Sequence, residues 1–110
     1  MGKLDFSTLL DQMLESAKTQ LAGNWPSVKE ITTSSFKTLV NSLVDIEQMK
    51  LEGTITEEQA RLLLNMHKNT AKIVLLSVEI IGIVAAEQAI NAALDVIKDT
   101  VNTAVGFAIL

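Results

Sequence analysis

Two glutamates, Glu79 and Glu87, lie inside the most apolar stretch of the chain, SVEIIGIVAAEQAI at 77–90. Carboxylates in such surroundings could ligate a metal, act as general acids, or simply face water from one side of a helix. A third carboxylate, Glu47, stands four residues after Leu43 on the edge of an apolar helical stripe. The single histidine, His67, shares an angular sector with Val74 and Val78. Inward Glu and His build the di-metal centres of helical bundles, with one Glu from each of two helices and a Glu-x-x-His from each of two others. This chain has eight glutamates but one histidine, and Leu64 stands three residues before it. Glu47 and His67 are therefore the only metal-ligand candidates, and a site built from them would have to be completed symmetrically across an oligomer. A lone histidine on an apolar face is more often a hydrogen-bonded core residue, so no metal and no cofactor are expected.

Other chemistry finds less support. A Ser-His-Asp relay needs a positioned histidine, and His67 falls in mid-helix with no nucleophile turn nearby. The chain has no G-x-S-x-G, no G-x-x-x-x-G-K-[ST] and no G-x-G-x-x-G. Paired-carboxylate catalysis needs a cleft, and short capped connections leave few loops to build one. No catalytic residue is assigned, no small-molecule ligand is indicated, and the chain reads as non-enzymatic.

The elements that must position these side chains are helices. At 110 residues the chain is one domain, 1–110, with 48% hydrophobic residues, most of them Leu, Ile, Val and Ala, and only one proline. Phe6, Leu9, Leu10, Met13, Leu14, Ala17 and Leu21 follow helical spacing and predict a first helix over 5–22, stopped by Gly23 and Asn24. Pro26 disfavours helix at Trp25, and Ser27 with Glu30 forms an S-x-x-E capping pattern, so a second helix is expected over 28–52. Its turn TTSS, 32–35, is poor helix material that packing must hold. Gly53 ends it. Thr56 with Gln59 makes a second capping box, and Glu57 and Glu58 suit the positive end of a helix dipole.

From Glu57 no proline intervenes, and the pattern reads as one long third helix over 57–104, bent at Gly82. Before Gly82, Arg61, Lys68, Lys72 and Glu79 lie near one line. After it, Glu87, Asn91, Asp95, Lys98, Asp99 and Asn102 define a polar arc about 120° further round at 100° per residue. Glu79 and Glu87 are each the wet member of their own half, and the stripe changes sides between them.

Such a helix would be roughly 70 Å long at 1.5 Å per residue, more than two shorter helices can cover. The fold expected is thus an all-α helical bundle completed by oligomerisation. Val74, Val78, Ala85, Ala89 and Val96 share one line of the continuous helix and are the expected interface. The apolar tail AVGFAIL would join it, docked either on its own chain or on a neighbour. A sharp fold-back at Gly82 would give instead a monomeric four-helix bundle.

The function expected is a structural or interaction module that self-associates as a homo-oligomer. A carboxylate-lined metal-binding bundle and a reversibly membrane-associated helical protein are the alternatives. Residues 73–97 are long enough to span a bilayer, but they carry Glu79, Glu87 and Asp95, each costing about 2.5–3.5 kcal/mol near its centre. The net charge of −4, with Arg61 the only arginine, argues against nucleic acid and gives anionic lipid nothing to attract. The start MGKLDFSTLL lacks the apolar core of a signal peptide, and the chain has no cysteine, so a reducing, cytoplasmic setting is expected.

Overall fold

The computed structural model describes residues 4–78 and 80–110 and is all-α. Four helices follow in order: α1 (Phe6–Leu21), α2 (Trp25–Glu52), α3 (Glu57–Leu76) and α4 (Ile83–Val105). A single turn of 3₁₀-helix, Ala22–Asn24, joins α1 to α2.

Three contacts fix the topology. The Leu4 N–H donates to Glu47 Oε1 at 3.2 Å, so the start of α1 lies at the end of α2. Lys72 Nζ reaches Glu87 Oε1 at 3.4 Å, closing α3 onto α4 as a hairpin. The Ala108 N–H donates to Glu57 Oε1 at 3.3 Å, returning the end of α4 to the start of α3. The helices therefore run up, down, up and down, the arrangement short connections favour. The extents are 42 × 23 × 18 Å. The 28 residues of α2 account for the long axis, at about 42 Å for a 1.5 Å rise.

All four helices contribute to one core. Met13, Val28, Phe36, Leu39, Leu43, Leu75, Ala93, Ile97 and Val101 are among its sealed members. The closest pairings are α1 with α4 and α2 with α3; α3 and α4 touch less.

The local signals behave unequally. The Thr56 capping box forms as expected: the Gln59 N–H donates to Thr56 Oγ1 at 3.1 Å, and the Thr56 N–H donates to Gln59 Oε1 at 3.0 Å. Gly53 closes α2 in the left-handed region at φ 72°. The Ser27–Glu30 box does not cap, because α2 starts at Trp25 and Ser27 lies inside it. Pro26 sits in the first turn, where a missing N–H leaves no bond unmade, so it starts the helix rather than delaying it. At the end of α1 the positive φ of 45° falls on Ala22, not on Gly23 or Asn24. The TTSS turn stays helical, with Thr32 and Ser35 turned into the core.

The long third helix does not exist as one piece. α3 stops at Leu76, and α4 starts at Ile83 with Gly82 in an extended conformation, φ −78° and ψ 166°. The Ser77 hydroxyl donates to the Val74 carbonyl at 2.6 Å, and the Ser77 and Val78 N–H groups bond three residues back. This tightens the last turn and ends the helix. Ile81 is buried as a plug at the corner. The change of polar face at Gly82 therefore marks a fold-back, and the bundle closes within a single chain.

Candidate functional site

Glu47 is the inward carboxylate of α2, only 2% exposed. Its bond from the Leu4 N–H gives it a structural task, tying the segment before α1 to the end of α2. His67, on α3, is half-buried. Among the described residues no group of three or more His, Cys, Asp or Glu could hold a metal ion. Glu87 is exposed and accepts from Lys72 across the α3–α4 hairpin, as a solvated surface charge does. Glu79 lies outside the described residues.

The five residues expected to form an interface do not share one face. Ala89 is 0% exposed, in the core. Val78 and Ala85 pack against that core, and Val74 is half-buried. Only Val96 stands out, 51% exposed on α4 opposite the polar side of α1. Their alignment depended on an unbroken helix, and the turn at 77–82 dissolves it.

The apolar tail docks on its own chain. Gly106 takes φ 83° and turns the backbone out of α4. Asn102 Oδ1 then accepts the N–H groups of Ile109 and Leu110 at 3.1 and 3.0 Å. Arg61 Nε donates to the Ala108 carbonyl at 3.1 Å, while the Ala108 N–H is held by Glu57. Lys50 Nζ sits 5.1 Å from the centre of the Phe107 ring, a cation–π contact. Ile109 is buried. The tail thus closes the end of the bundle where α3 begins.

A different surface carries the unmet hydrophobicity. On α3, Ala60, Leu64, Ala71 and Leu75 are buried. Leu62, Met66 and Ile73 are 59%, 62% and 67% exposed. At 100° per residue the centres of these two sets lie about 170° apart, on opposite sides of the helix. Leu62, Leu63 and Met66 also line a shallow groove of about 370 Å³ with Met49 and Ile55. At the other end of α3, Ile80, Ile83 and Val84 are exposed around the fold-back turn. Contiguous exposed apolar residues of this kind mark interaction surfaces. The positions 62, 66 and 73 are visible in the sequence. Nothing in their spacing says which side of the helix the rest of the chain will cover.

The chain matches no protein-family model, no curated protein and no solved structure. No helix among the described residues is long and apolar enough to cross a membrane, since the 73–97 stretch is divided between α3 and α4.

Proposed function

We propose that the chain is a non-enzymatic helical module that self-associates, and that its working surface is the outward face of α3 rather than the line from Val74 to Val96. The observation that supports this reading is the two-sided helix: α3 already buries one apolar face in its own bundle and holds Leu62, Met66 and Ile73 on the other. Large apolar side chains fixed outward on a rigid helix bind a partner at little ordering cost. The absence of cysteine suits a reducing compartment such as the cytoplasm.

The test is absolute mass by light scattering across a concentration series without detergent, for the native chain and for Ile73→Glu. An oligomer is expected for the native chain. The charge at an outward position leaves folding within about 0.5 kcal/mol. It weakens association roughly 30-fold or more, since a desolvated unpaired charge costs about 2 kcal/mol or more. An oligomer that ignores Ile73→Glu would remove α3 from the role.

A metal-binding reading draws support from the burial of Glu47. Elemental analysis of the purified protein separates it from the first: stoichiometric iron, manganese or zinc that is lost in Glu47→Gln and His67→Ala would replace the association reading with a metal-binding one.

A further inference from the structure

We infer that the outward face of α3 pairs with α3 of a second copy in parallel and in register, with Asn69 against Asn69. This rests on the association reading above and specifies the arrangement.

Gln59, Leu62, Met66, Asn69, Ile73 and Leu76 are spaced 3, 4, 3, 4 and 3 residues apart along α3. That alternation is the seam of a two-stranded coiled coil, and it calls for another helix rather than an extended peptide. The seam is apolar except at Gln59 near its start and Asn69 in its middle. A buried polar group is costly unless it meets another that can hydrogen-bond to it. Parallel pairing in register stacks each layer on itself, so Asn69 meets Asn69 and every apolar layer meets an apolar one. Full antiparallel overlap sets Asn69 against Met66 in both central layers, opposing polar to apolar there; the end layers weigh less, since the Gln59 side chain is already bonded to the Thr56 N–H and Leu76 packs in part against its own core. Sliding the antiparallel pair by one heptad relieves this but leaves Ile73, the most exposed apolar side chain of α3, outside the contact. A second copy supplies the matching Asn69 by symmetry. The spacing places Gln59, Met66 and Ile73 at the a positions of the heptad and Leu62, Asn69 and Leu76 at the d positions, so the register is set by Asn69 meeting its own kind at d.

Two further features favour the same arrangement. A seam about 30 Å long on one helix is short of the roughly 800 Å² per partner that a stable interface buries. Parallel pairing brings the exposed Ile80, Ile83 and Val84 of both copies to the same end, where they extend the contact; antiparallel pairing separates them. In parallel register Lys72 falls beside Ser77 of the second copy and Asn65 beside Thr70, so no like charges face each other along the middle of the seam.

Since the chain has no cysteine, single-cysteine variants read the arrangement directly. Leu62→Cys and Ile73→Cys are oxidised separately and as a mixture, beside the mass measurement on the cysteine-free chain. Each variant alone should form a disulfide-linked dimer, with no 62-to-73 link in the mixture. Mixed 62-to-73 links with no self-links would overturn the parallel arrangement and establish the antiparallel one. A dimer sensitive to Ile73→Glu that gives neither link would overturn the register while leaving α3 as the surface. A monomer at every concentration would overturn the pairing and self-association together. As a second readout, Asn69→Leu in both cysteine backgrounds should tighten association and admit mixed links or higher oligomers. An unchanged cross-linking pattern there would remove Asn69 from its role in setting register.

Discussion

α3 and α4 are neighbours of similar length that place their outward hydrophobic residues differently: along the body of α3 at Leu62, Met66 and Ile73, but at the very start of α4 at Ile83 and Val84, with Val96 alone further on. α4 turns Ile90, Leu94, Ile97 and Val101 into the core and shows Glu87, Gln88, Asn91, Asp95, Lys98 and Asp99 to water. α3 turns Ala60, Leu64, Ala71 and Leu75 into the core and holds Leu62, Met66 and Ile73 outward. Their ends differ as well. α3 starts from a complete capping box with Glu57 and Glu58 in its first turn, whereas α4 starts at Gly82 with no side-chain cap. Local interactions define α3, and tertiary packing defines α4. A helix that holds its shape through its own ends can leave a large apolar face uncovered without losing order, which suits it to meeting a partner.

The largest effect that could break this comparison comes from placing the same charge on each helix. Ala89→Glu puts a carboxylate where the side chain is 0% exposed, on the face α4 packs inward. It should destabilise the fold by about 3–5 kcal/mol, because neither the charge nor the added volume has a place there. That is a large part of the roughly 5–15 kcal/mol typical of a domain. Ile73→Glu, at 67% exposure, should leave the urea midpoint nearly unchanged at concentrations where the native chain is dissociated, and should alter the mass where it is associated. Equal losses of stability in the two variants would mean that the outward face of α3 is part of the fold.

The same contrast explains what the sequence could and could not disclose. The helical character of all four elements was legible, because apolar spacing is local. The Thr56 box and the stop at Gly53 were legible because a cap involves only its nearest neighbours in the chain. The rotation of the polar stripe at Gly82 was visible too, but its meaning was not. Of the turn residues Ser77, Val78, Ile80 and Ile81 only Ser77 favours a turn, and Ile81 is held by burial rather than by backbone preference. Once the helix was read as continuous, Val74, Val78, Ala85, Ala89 and Val96 lined up on a face that the fold-back removes. Glu47 was placed inward correctly from the stripe of α2, while its partner Leu4, 43 residues away, follows only from the closed bundle. The outward face of α3 was hidden for a similar reason: a helix with two apolar sides does not say which of them its own chain will cover.

A smaller effect tests the claim that α3 is defined locally. Thr56→Ala removes the hydroxyl that accepts the Gln59 N–H and should cost about 1 kcal/mol in chemical denaturation. The loss should appear first as fraying at the start of α3, seen as faster amide exchange at Glu58 and Gln59 than in the native chain. Because the Gln59 side chain bonds back to the Thr56 N–H, Gln59→Ala should give a comparable loss, and the double variant less than the sum, as expected for two halves of one motif. Additive losses would mean that the two bonds act separately and that α3 owes less to its cap than the geometry suggests.

The smallest effect sharpens the other side. Gly82 precedes α4 with extended backbone angles that any residue can adopt, and a Cβ built there meets nothing within 4 Å. Glycine is therefore not required by the turn, and α4 simply lacks a capping oxygen. Gly82→Ser supplies one within reach of the first free N–H groups of α4 and should raise stability by a few tenths of a kcal/mol. Gly82→Ala, with no oxygen to offer, should not reproduce the gain. If α4 is held mainly by the core, serine will slow amide exchange in its first turn and leave the middle of the helix, around Ala93 and Ile97, unchanged. A gain above about 1 kcal/mol, or slower exchange along the whole of α4, would show that its uncapped start limits the stability of the bundle, and the division between a locally defined α3 and a packing-defined α4 would have to be redrawn.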